Sequence, residues 1–172
     1  MNRRGLIVFL IFLLLSCTRN DNKAGAGNPK IEKQVMGIAV AYAREKFGDA
    51  QQSVLNDGTV RIGDNQISYI INPAGIVSGL IDNDTDEDAV VMINSYKGNF
   101  LIKTEHLILI NTGREFALTK VIEGNMKIKE IKNRIIFAEI SKFPADAPAA
   151  DCPVCKEIVK YQFRDGNLVK ME

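Results

Sequence analysis

The apolar positions of this chain change period near residue 48. Before it, Ile31, Val35, Ile38, Ala39, Tyr42, Ala43 and Phe47 recur at helical spacing and share one face. Asn28 can cap such a helix, Pro29 suits its first position, and Gly48 is a natural stop. The pattern predicts a helix of roughly 18 residues. After Gly48 the apolar runs are short: TVRI, ISYII, IVSGLI, DAVVMINSY, NFLIK, EHLILIN, EFALTKVI, MKIKEI, RIIFAEI, IVKYQF and NLVKM. Turn sequences separate them, among them Asn56-Asp57-Gly58, Asn72-Pro73-Ala74-Gly75, Lys97-Gly98-Asn99 and Asp165-Gly166. Short strands at such spacing indicate an antiparallel meander. The last two runs form the clearest hairpin, with Val159, Tyr161 and Phe163 alternating with Lys160 and Gln162. The expected fold is α+β: one N-terminal helix packed on a curved, mainly antiparallel meander sheet of about eight strands. A closed β-barrel is the alternative. Residues 29–172 read as a single domain.

The first 17 residues carry a different signal. Arg3 and Arg4 precede a continuous apolar run over residues 6–15. That run is shorter than the ~20 residues that cross a bilayer, and its flanks fit a secretory leader. It ends Leu14-Leu15-Ser16-Cys17, which resembles the lipobox of a bacterial lipoprotein signal. The resemblance implies cleavage after Ser16, so that residues 1–16 are a signal peptide, and diacylation of the Cys17 thiol. Residues 17–28 then form a polar, Gly- and Asn-rich tether. Thr18 rather than Asp follows Cys17, which by the same resemblance favours the outer membrane over the inner. The membrane, through this lipid, is the expected partner, with an envelope protein as a second.

Composition narrows the field further. The chain has 22 basic and 21 acidic residues, and loss of Arg3 and Arg4 leaves one net negative charge. No overall basic excess points to nucleic acid. Trp is absent, which disfavours an aromatic sugar-binding platform.

Two segments carry candidate chemistry. In LIDNDTDEDAVV, residues 80–91, Asp82, Asp84, Asp86 and Asp88 alternate. Short carboxylates at every second position are how calcium loops converge on a hard cation. The stretch resembles the calcium loops of integrin-like repeats, which places Asp82, Asp84 and Asp88 on ligand positions. Leu80 stands where the first ligand belongs, and Thr85 replaces the glycine of the sharp turn. A calcium site here is expected to be weak, ~10⁻⁴ M or looser. The other readings are a solvated turn that keeps a sheet edge soluble and an epitope for a partner protein.

The second segment is Cys152-Pro153-Val154-Cys155. With Cys17 lipidated in an oxidising compartment, these two thiols are left to pair. A redox-active pair and a metal site are the alternatives. This end resembles the C-terminal ends of small bacterial lipoproteins of uncharacterised function, where a cysteine pair precedes a Tyr-x-Phe strand and an Asp-Gly-Asn-Leu turn. The only histidine, His106, neighbours Glu105, and adjacent strand residues point to opposite faces, so the two cannot act as a simple pair. No nucleophile elbow, phosphate loop, dinucleotide fingerprint or zinc-protease motif occurs. The expected function is a non-catalytic binding or structural module of the cell envelope, without a resident cofactor beyond weak calcium. A small envelope hydrolase using carboxylates is the alternative.

Overall fold

A computed structural model describes residues 28–48, 50–64, 66–142 and 155–172. The leader, Cys17, most of the tether, Cys152 and the Pro/Ala stretch before it lie outside the described residues. Helix α1, Pro29–Phe47, starts and stops where its sequence indicates. The Asn28 side chain accepts from the Lys30 amide at 3.1 Å, and the Gly48 N–H donates to the Arg44 carbonyl at φ +75°.

Ten strands follow: β1 Gln52–Val54, β2 Val60–Gly63, β3 Ile67–Gly79, β4 Asp88–Lys97, β5 Phe100–Asn111, β6 Phe116–Glu123, β7 Met126–Lys132, β8 Ile135–Ser141, β9 Lys156–Arg164 and β10 Asn167–Lys170. They pair antiparallel in two sheets, ordered β1-β2-β3-β4-β5-β6 and β10-β9-β8-β7. The α+β class and the N-terminal helix are as the sequence indicates, and neither sheet closes into a barrel.

The single sheet of about eight strands becomes two sheets of six and four, for local reasons. Asn72-Pro73-Ala74-Gly75 is not a turn between strands but a bulge inside β3. The Asn72 side chain accepts from the Ala74 amide at 2.8 Å, and register with β4 resumes at Ile76. NFLIK and EHLILIN likewise run together as β5. β1 has no apolar signature; all three of its residues are exposed.

The two-sheet arrangement explains why β4 and β5 read as almost unbroken apolar runs. They are buried on both faces, one by α1 and one by the second sheet. Ala89, Val91, Ile93, Leu107 and Leu109 pack toward the helix with Ile31, Val35, Ala39 and Ala43. Their neighbours Val90 and Ile108 turn the other way, onto Ile128, Ile136 and Ala138. Strand β7 crosses beneath the first sheet. Its first residue, Met126, lies under His106 on β5, and Ile131 abuts Gly79 at the end of β3. A Cβ on Gly79 would stand 2.8 Å from the Ile131 carbonyl oxygen, so glycine is what allows the two backbones to approach. Beyond Ile131, the β7–β8 turn uses Asn133 (φ +53°) and Arg134 (φ +61°) and ends beside the acidic loop.

Candidate functional site

The acidic segment links β3 to β4, and Asp88 organises it. Asp88 is wholly buried. Its Oδ2 accepts from the amides of Ile81 (2.7 Å) and Asp82 (3.3 Å), and its Oδ1 accepts from the Asn111 amide (2.9 Å). Burial pushes its carboxyl above the usual range, an effect that these three N–H donors offset only in part. The carboxylate thus closes the base of the loop and ties it to the end of β5.

Above it, the alternation of aspartates produces a chain of local turns. Asp82 Oδ1 accepts from the Asp84 amide at 3.0 Å, and Asp84 Oδ1 accepts from the Asp86 amide at 2.9 Å. Each side chain satisfies its own backbone two residues on, which is what Asp does in turns. Glu87 accepts from the Ser78 hydroxyl at 2.6 Å. Of the aspartates expected at a calcium centre, Asp82 is half-buried, Asp84 exposed and Asp88 buried. Among the described residues no set of three or more acidic, His or Cys side chains is gathered as a metal cluster.

The loop has a cation of its own. The Arg134 guanidinium donates through Nε to the Asp82 carbonyl and through Nη2 to the carbonyls of Asp84 (3.1 Å) and Asn83 (3.4 Å). Sequence reasoning missed this residue because it lies some 50 positions away, on the other sheet. Only the Asn-Arg pair at a two-residue turn hints at anything unusual there. Arg134 also lines a half-open cleft of about 390 Å³ with Ile81, Asp82, Asn83, Gln162, Phe163, Arg164 and Asp165.

His106 and Glu105 sit on opposite faces of β5, as strand alternation requires. Glu105 faces the helix, where its Oε1 accepts from the Tyr42 hydroxyl (2.9 Å) and pairs with Lys103 Nζ (3.0 Å). Lys103 also reaches Glu123 at 3.1 Å. Burial and the Glu105 carboxylate push the Tyr42 hydroxyl up to about 12. His106 is wholly buried between the sheets. Its Nε2 lies 3.0 Å from the Met126 carbonyl, while Nδ1 has no hydrogen-bond partner. Burial holds its pKa below the ordinary 6.5.

Cys155 is disulfide-bonded; Cys152, its expected partner, is outside the described residues. No helix among the described residues is long and apolar enough to cross a membrane. Compared with known proteins, the chain matches no family model, no curated protein and no solved structure.

Proposed function

We propose that this chain is a lipid-anchored, non-catalytic module of the bacterial cell envelope. The observation that carries the reading is Arg3-Arg4, the apolar run and Leu14-Leu15-Ser16-Cys17 in immediate succession. The helix, whose cap is Asn28, begins directly after the polar tether, so the lipid and the domain are separated by residues 17–28. The non-catalytic part is supported by how the buried titratable groups are used. Asp88 binds loop amides, Glu105 ties the helix to the sheet, and His106 joins the sheets. Each is occupied with fixing the fold.

In wild-type cells the protein should fractionate with membranes and carry a diacyl mass increment at an N-terminal Cys17. The Cys17→Ser variant should be released. An unmodified wild-type mass, with both forms fractionating alike, overturns the anchoring. The proposed Cys152–Cys155 bond is checked in the same spectra. Two thiols should become alkylable only after reduction.

Calcium at the acidic loop remains a subsidiary proposal, resting on Asp82 and Asp84. Its affinity would be low because Asp88 is committed to backbone amides and Arg134 holds the loop carbonyls. Binding would raise the melting temperature by mass action at millimolar calcium, and Asp84→Asn would remove the rise. A melting curve unmoved by millimolar calcium rules the site out.

A further inference from the structure

The outer face of the second sheet is strongly basic. Its inner face packs Ile128, Ile136, Ala138, Tyr161 and Phe163 against the first sheet, so the alternate residues point away. Register fixes which these are: Lys127 opposes Glu139, Glu139 opposes Ile158, Glu130 opposes Phe137, Phe137 opposes Lys160, and Lys132 opposes Ile135. Six cations project from this face, Lys127, Lys129, Lys132, Lys156, Lys160 and Arg164, and all are exposed. Among the described residues, only Glu130 and Glu139 stand against them on this face. Glu139 is already shared between Lys129 (3.7 Å) and Lys156 (3.3 Å), and these lysines hold its carboxyl below the usual range. Apolar groups sit among the charges: Phe137 with Lys160 Nζ 5.8 Å from its ring centre, Ile158 at 55% exposure and Val169 at 45%. Among the described residues nothing packs on this face.

We infer that this face docks onto an anionic lipid surface. Several lysines spread over one sheet face match many anionic headgroups at once, and their long stems lie along apolar surface while the ammonium groups stay wet. Half-buried Phe137 and exposed Ile158 and Val169 among lysines suit the boundary between headgroup and acyl chain. The choice of lipid over an acidic protein rests on the anchoring reading above, which places the domain beside a bilayer. Residues 17–28 reach about 40 Å when extended, enough for this face to turn toward the membrane.

The test uses the unlipidated chain from residue 18, which keeps both hydrophobic cores. It is sedimented with phosphatidylcholine vesicles with and without phosphatidylglycerol. Binding is expected only with the anionic lipid, and it should weaken steeply with salt. Replacing Lys127, Lys132 and Lys160 by Gln should weaken it at least tenfold at an unchanged melting temperature. Replacing the exposed Lys30, Lys33 and Lys97 by Gln alters net charge equally and should have much less effect. No binding, binding to neutral vesicles, or equal loss in the two variants overturns the inference. So does salt-sensitive self-association abolished by the first variant, which would assign the face to a second copy of the chain. Because no acyl chain is present, failure here leaves the anchoring itself to its own mass and fractionation test.

Discussion

The two faces of the six-stranded sheet are covered by different means. The helix side is filled by aliphatic side chains of α1 and of alternate strand positions, with a buried charged group, Glu105, paired with Tyr42 and Lys103 at the margin. The other side has a smaller aliphatic cluster and is fixed by backbone-level contacts: Gly79 against Ile131, Asp88 on three amides, His106 on the Met126 carbonyl, Arg134 on three loop carbonyls. Aliphatic packing tolerates small adjustments, because neighbouring side chains can shift. Contacts made by main-chain atoms cannot shift without moving a strand. The face of the first sheet that meets the second sheet is therefore where single substitutions act most strongly.

The largest effect is expected from Asp88→Ala. It removes the acceptor from the buried loop closure and leaves the Ile81 and Asn111 amides unpaired. At about 1–3 kcal/mol for each unsatisfied buried group, the loss measured by denaturant unfolding should be about 3 kcal/mol or more. A loss under 1 kcal/mol would show that the loop does not depend on this carboxylate.

Next comes a pair of glycines that separates the two sides. Gly79→Ala pushes a methyl group into the Ile131 backbone and should cost about 1–3 kcal/mol. Gly37→Ala, on the exposed side of α1 with nothing within 4 Å, should instead stabilise the protein by about 0.5–1 kcal/mol. The opposite signs are the point of the comparison. Equal effects would mean that the sheets are not held at backbone contact.

A pH-dependent effect follows from His106. Its folded pKa lies below the unfolded 6.5, so the unfolded state binds the extra proton first. Stability should be full above pH 6.5 and fall as pH drops from there toward the lower folded value. The slope is at most about 1.4 kcal/mol per pH unit. His106→Gln keeps a donor for the Met126 carbonyl and should flatten that slope. Asp88 titrates in both proteins, so the difference between them isolates the histidine. Parallel slopes would remove His106 from the account.

Much of this was legible in the sequence. Asn28, Pro29 and Gly48 mark the helix because capping is local chemistry. The Asp165-Gly166 hairpin is marked equally well, with φ of +50° and +74°. The alternation of Glu105 and His106 across the sheet is also local, and it separated them correctly. What could not be read was which apolar run meets which. β4 and β5 are apolar at successive positions, which shows burial on both faces but not by what. The Asn72–Gly75 stretch has turn chemistry and makes a bulge, because pairing with β4 resumes beyond it. Arg134 meets the acidic loop only through a sheet-to-sheet contact. Near-neutral total charge concealed the basic face, although MKIKEIK and KEIVKYQFR place lysines at the alternate positions that form it.

The measurement that bears most directly on this account is amide hydrogen exchange at Ile81, Asp82 and Asn111 in metal-free protein. If Asp88 and Arg134 close the acidic loop from within, Ile81 and Asn111 exchange slowly in the presence of a chelator and are little changed by millimolar calcium. Fast exchange at both amides that becomes slow only when calcium is added would contradict it, and would return the loop to the cation.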